Sequence, residues 1–209
     1  MLPFIVDPTS YKKDIAFTQA KLYVDEFLAL NGLHPPTRLI TIAETKNDNR
    51  WKDYGWYTFI DSTMFVNLKK SRTPVKTPGF QWSYTGFKAD LTAPGILAHE
   101  TGHHIHRIMS IRNDDLGIRK MVDFIYTSVE GERSVSGYEP NAYEVFAEST
   151  RLFILNPELL RLGRPKRWSM LTDRLGLKPP HDVHWRHVLK HAHPRIIAAA
   201  EKWISNNAL

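Results

Sequence analysis

A change of rhythm at Thr92 constrains this chain more than anything else in its sequence. Before that point apolar residues come in short strand-like runs, Arg38 to Ala43, Tyr54 to Ile60 and Thr63 to Lys69. In the last of these, Met64, Val66 and Leu68 alternate against Phe65, Asn67 and Lys69, the period of a half-buried strand. After Thr92 almost everything reads as helix, with helices expected near Pro94–Met109, Asp114–Thr127, Asn141–Leu155 and Pro194–Asn206 and shorter ones between. A further amphipathic helix is expected over Ser10–Leu30, stopped by Asn31-Gly32 and barred from continuing by Pro35-Pro36. Helix, small mixed sheet, then helices is the order of an α+β fold. A single domain over 1–209 is expected, with helix, sheet and an aromatic-rich loop (Ser71 to Asp90) over 1–91. Site-bearing helices would fill 92–160 and a helical tail 161–209.

Cysteine count sets the chemistry. The 209 residues include no cysteine and ten histidines. Disulfides, thiolate metal sites and a cysteine nucleophile are excluded, so a transition metal here must be held by His, Asp or Glu. No apolar stretch approaches the length of a membrane span. The first residues, MLPFIVDPTSYKK, lack the features of a secretory signal, so a cytoplasmic or virion-associated protein without membrane partners is expected. The net charge of +6 includes two basic clusters, Lys69, Lys70, Arg72 and Lys76, and Arg161, Arg164, Lys166 and Arg167. Such a balance suits solubility first and a nucleic-acid partner second.

The segment Ile96-Leu-Ala-His99-Glu100-Thr-Gly-His103-His104-Ile-His106 contains H-E-x-x-H on an expected helix. Residues four apart lie one turn apart on one face, so His99 and His103 can bring two imidazole nitrogens to one ion. Glu100 beside them is placed to take a proton from a water at that ion. Ile96, Leu97 and Ile105 supply the apolar surface that buries the helix. His104 and His106 share it, with His106 expected near the site or at the surface.

A catalytic zinc needs a third protein ligand and an open position. The longer H-E-x-x-H-x-x-G-x-x-H pattern is excluded, because His106 stands at its glycine and Met109 at its last histidine. Glu144 and Glu148 lie one turn apart on the next long helix. One carboxylate of such a pair can reach the metal while the other orients a ligand histidine. Taken alone, an E-x-x-x-E pair describes a solvated helix face. A different third ligand is on offer in the tail, where His184, His187 and His191 share a helical face, with His181 and His193 nearby.

Tyr138-Glu-Pro-Asn141-Ala-Tyr-Glu144-Val-Phe-Ala-Glu148, followed by Asn156-Pro-Glu-Leu-Leu160, resembles the gluzincin metallopeptidases of the anthrax lethal factor-like clan. It is especially similar to their small phage- and bacterium-encoded members, over about 91–160. The resemblance implies a zincin-like fold, one Zn2+ per chain and peptide-bond hydrolysis in a protein or peptide substrate. It implies His99, His103 and Glu144 as metal ligands, Glu100 as general base, Glu148 as the group orienting a ligand histidine, and Tyr138 as transition-state donor. The spacing from Tyr138 to Glu144 is about one residue shorter than in that family, which leaves Tyr143 and Tyr126 as substitutes. Zincins receive an extended peptide on the edge strand before the metal helix. That strand would be Thr63–Lys69, with Phe65 and Asn67 as substrate-binding residues. The rhythm of 141–148 is also similar to ImmA/IrrE-like regulatory proteases. A third ligand from the histidine tail would match the SprT-like DNA-associated proteases instead. A structural or virion-associated protein that keeps a zincin fold is the non-enzymatic alternative, and the intact Glu100 speaks for the enzyme.

Overall fold

The computed structural model describes residues 15–42, 53–71, 91–112, 117–189 and 194–205. The aromatic loop expected over Ser71–Asp90 lies, beyond Ser71 itself, outside the described residues, as do Arg72, Lys76, His191 and His193. The architecture is α+β. Helix α1 (Ile15–Leu30) leads into strands β1 (Arg38–Ile42), β2 (Gly55–Thr58) and β3 (Thr63–Asn67). A helical turn, α2 (Leu68–Ser71), follows, and then come the long helix α3 (Ala93–Arg112), α4 (Gly117–Ser128) and α5 (Ala142–Leu155). The tail holds α6 (Pro157–Gly163), α7 (Pro165–Ser169), a π-helical turn over Met170–Arg174, α8 (Trp185–Val188) and α9 (Pro194–Ser205).

Local chemistry explains the long helices. Thr92 Oγ1 accepts from the Gly95 backbone N–H at the start of α3, where Pro94 gives up an N–H that would have no helical partner. Asn141 caps α5, its side chain accepting from the N–H groups of Tyr143 and Glu144 at 3.0 and 3.1 Å. That cap fixes where α5 begins, and so places Glu144 in its first turn and Glu148 one turn on. Leu97 and Ile105 of α3 are almost fully buried with Phe27 of α1, Met64 and Val66 of β3, and Phe146 and Phe153 of α5. Phe27 meets Phe153 edge-on at 5.9 Å, tying α1 to α5.

The three strands form one mixed sheet in the order β1-β3-β2, with β1 parallel and β2 antiparallel to β3. The expectation that Thr63–Lys69 forms the sheet edge is therefore corrected, because both sides of β3 are occupied by strands. Asn67 is fully buried, and Phe65 stacks on Trp56 of β2 at 4.2 Å. Neither can serve as an edge contact for a peptide. Lys69 and Lys70, members of the first basic cluster, belong to the helical turn beyond the strand. Among the described residues β2 is an edge of this sheet, and it packs against α3.

The second basic cluster also reads differently in three dimensions. Arg164 and Arg167 are 4% and 2% exposed, so half of that cluster is interior rather than a cationic surface. Arg167 Nη2 donates to Glu139 Oε2 at 2.8 Å and Nη1 to Ser149 Oγ at 3.0 Å, while Nε lies 3.5 Å from Glu132 Oε2. Arg164 donates through Nε and Nη2 to the Ser134 carbonyl and lies 4.0 Å over the Trp203 ring. Glu139 Oε1 in turn accepts from the backbone N–H groups of Val135 and Ser136. These bonds fasten the non-helical segment between α4 and α5, the segment that carries Tyr138.

Candidate metal centre

His99, Glu100 and His103 come from α3, and Glu144 and Glu148 from α5, so the site depends on how closely the two helices approach. Gly102 sets that distance. A Cβ at Gly102 would stand 2.6 Å from Ala147 Cα and 3.0 Å from the Ala147 carbonyl oxygen, closer than any side chain allows. On the other flank, a Cβ at Gly55 of β2 would meet Ile96 Cγ2 at 2.4 Å and Glu100 Oε1 at 3.0 Å. The metal helix is thus clasped between two backbone surfaces, each admitted by a glycine.

The result is a group of three side chains that can hold a metal ion. One ligand atom from each of His99, His103 and Glu144 lies within 4.8 Å of the others. His99 Nε2 is 3.1 Å from Glu144 Oε2, and His103 Nε2 is 3.7 Å from Glu144 Oε1. Their side chains are only 12 to 16% exposed. The other nitrogen of His99, Nδ1, meets Glu148 Oε1 at 2.8 Å. Arg151 donates through Nε and Nη2 to both oxygens of Glu148, each at 3.0 Å. That bidentate, buried pair keeps Glu148 ionised and makes it the acceptor for His99 Nδ1–H, which turns Nε2 toward Glu144. Arg151 is absent from the expectations above. Its signal is the E-x-x-R spacing of Glu148 and Arg151, which puts a cation beside the carboxylate on one helix face.

Electrostatics show what the cluster wants. Burial works against a charged His99, yet hydrogen bonds to Glu144 and Glu148 and the carboxylates around it push it up to about 10. Burial and the neighbouring His99 charge bring His103 down to about 3. Burial also opposes ionisation of Glu148, but Arg151 and His99 hold it well below the usual carboxylate range. The cluster therefore gathers positive charge at His99 Nε2, beside the carboxylate where a metal cation would sit. Glu100, 5% exposed, has its carboxyl pushed up to about 7, first by burial, and its Oε2 has no hydrogen-bond partner among the described residues. These donors, two imidazoles and one carboxylate without a thiolate, match zinc and other borderline divalent ions.

A cavity of about 1260 Å3 opens over the cluster. Tyr138 lines it, its ring 6.1 Å from that of His99 and about half exposed. Burial and the surrounding carboxylates, Glu144 first among them, raise the Tyr138 hydroxyl, so it stays a donor. Tyr143 lines the cavity too, packed edge-on against His106 at 4.8 Å. Tyr126 lies on α4 and does not line the cavity. His104 turns away, its Nδ1 accepting from the Tyr57 hydroxyl at 3.0 Å and its Nε2 donating to the His34 carbonyl at 2.8 Å. In the tail, His181 donates to the Ile154 carbonyl and His184 caps α8. Among the described residues neither joins the metal group. Phe65 and Asn67 do not line the cavity, whereas Gly55, Trp56 and Tyr57 of β2 do.

No protein-family model matches the chain, and neither a curated protein nor a solved structure matches it. Among the described residues no helix is long and apolar enough to cross a membrane.

Proposed function

We propose that the protein is a zinc-dependent endopeptidase. The observation that carries this reading is the gathering of His99, His103 and Glu144 around one point, with Glu100 buried beside it and its Oε2 without a hydrogen-bond partner among the described residues. A zinc ion held by those three side chains would supply Lewis-acid activation of water and of the scissile carbonyl. Glu100 takes the proton of the attacking water and later passes it to the leaving amine. The Tyr138 hydroxyl donates to the oxygen on which negative charge develops. Glu148, held by Arg151, keeps His99 in the tautomer and orientation that ligation needs. The peptide lies in the cavity between β2 and the segment bearing Tyr138. The fit of the residues to the resemblance over 91–160 supports this assignment of roles.

The test is metal content and cleavage measured together. Purified wild-type protein is expected to carry one zinc per chain and to cleave an unstructured peptide mixture. Glu144→Ala should lose the zinc. Glu100→Gln should keep it and lose at least about a thousandfold in kcat/KM, as removal of a group acting in proton transfer can exceed the usual 10²–10⁴ range only if attack also fails. Wild-type protein that binds no zinc, or a Glu100→Gln variant as active as wild type, would overturn the reading.

A further inference from the structure

The cavity runs on past the metal cluster. From α3 it is lined not only by His99, Glu100 and His103 but also by His106, Arg107, Ser110 and Ile111. This arm begins one helical turn beyond His103, about 6 Å along the axis. Two of its groups have no task in the chemistry described above. His106 is 1% exposed, and neither ring nitrogen has a hydrogen-bond partner among the described residues. It leans toward α5, where its ring meets those of Tyr143 and Phe146. Arg107 leans the other way, toward the sheet, where Nη1 donates to the Ser62 hydroxyl. Among the described residues no carboxylate forms an ion pair with Arg107, in contrast to the interior Arg151 and Arg167.

On one wall a buried imidazole without a partner is costly unless something satisfies it, and on the other the half-buried Arg107 brings a positive charge that no carboxylate among the described residues neutralises. We infer that this arm of the cleft is a subsite for an acidic side chain of the substrate, its carboxylate paired with Arg107 and taking a further hydrogen bond from His106. Burial lowers His106 to about 4, so the ring is neutral and offers one N–H donor. A carboxamide could also use that N–H, but it would leave the Arg107 charge uncompensated, and this favours Asp or Glu. A guanidinium and a carboxylate can pair bidentately in a partly enclosed cleft, which makes charge the main discriminator. The net charge of +6 works in the same direction by drawing acidic peptides toward the molecule.

The inference rests on the endopeptidase reading for its cleavage arm, and a binding arm separates the two. Zinc-loaded protein is given peptides that differ only by Glu, Gln or Lys at each position flanking the cleaved bond. At one position Glu should exceed Gln at least tenfold in kcat/KM. Arg107→Gln should bring that ratio to within twofold, and Arg107→Glu should turn the preference toward Lys, an inversion that a merely misfolded protein cannot produce. In the binding arm, fluorescein-labelled Glu and Gln peptides are titrated onto Glu100→Gln protein and followed by anisotropy. Selective binding of the Glu peptide, lost on Arg107→Gln, supports the subsite even if wild-type protein cleaves nothing, a result that would overturn the endopeptidase reading alone. Cleavage with Glu and Gln equivalent at every position would overturn the subsite and leave the endopeptidase reading standing. A Glu preference that survives Arg107→Gln in both arms would overturn it as well.

Discussion

Two buried clusters of charge adjoin α5, and they are finished to different degrees. Around Arg167, the carboxylates of Glu132 and Glu139 are met by guanidinium groups and backbone N–H groups, and Ser149 and the Ser134 carbonyl take up further donors. Around His99, the carboxylate of Glu148 is satisfied by Arg151, but Glu100 Oε2 and His103 Nδ1 are left without hydrogen-bond partners among the described residues. The first cluster holds a loop in place. The second keeps polar groups desolvated and unmatched, Glu144 Oε2 among them, and a cation held by His99, His103 and Glu144 would offset that part of the cost. Among the described residues the first cluster leaves only Arg167 Nε open, 3.5 Å from Glu132 Oε2, while three open atoms, on Glu100, His103 and Glu144, gather in the second.

Breaking the closed cluster should cost most. Arg167→Met strands two buried carboxylates, and loss of one partner of such an ion pair costs about 3–5 kcal/mol, to be read from urea unfolding of the metal-free protein. A cost below that of an ordinary surface change would mean that the cluster does not hold the segment bearing Tyr138. Gly102→Ala comes next. The added methyl must push α3 and α5 apart, an overpacking cost of about 1–3 kcal/mol, and it should also lower zinc affinity because the ligands come from both helices. A variant that is destabilised but binds zinc as tightly as wild type would show that the ligand spacing tolerates helix separation. Smallest is Glu144→Gln in the metal-free protein, expected within about 1 kcal/mol of wild type, since neutralising one member of an unfinished cluster removes strain along with attraction. The two proteins should then diverge in zinc, where wild type gains about 2.7 kcal/mol at one hundred times its dissociation constant and the variant gains almost nothing. Thermal melts with and without chelator measure the difference.

How much of this was legible beforehand depended on the range of the interaction. The H-E-x-x-H helix and the helix over 142–155 follow from local periodicity, from Pro94 in the first turn and from Asn141 as a cap, all written within a few residues. That Glu144 faces His99 was implied by the resemblance over 91–160, because each helix fixes only its own ligand spacing. Strand order could not, since a strand with Met64 and Val66 on one side looks the same at a sheet's centre as at its edge until its neighbours are known. Arg164 and Arg167 misled for a related reason. Their partners, the Ser134 carbonyl for Arg164 and Glu132 and Glu139 for Arg167, lie about thirty residues away in sequence, so a run of charge gave no hint of burial. The glycine of H-E-T-G-H was visible, but its purpose was not, because Ala147 is what it makes room for.

That contact has a consequence for metal choice. Gly102 lies between His99 and His103 in sequence, and Ala147 between Glu144 and Glu148, so main chain meets main chain within the stretch of each helix that carries the candidate donors. Helix α3 cannot roll or slide without lifting Gly102 off its seat, and the bite of the chelate is therefore set by backbone packing rather than by side-chain rotamers. For a bound cation, ionic radius would become a criterion of selection: one that needs longer bonds and more oxygens would have to force two helices apart, while a small tetrahedral one would need no rearrangement.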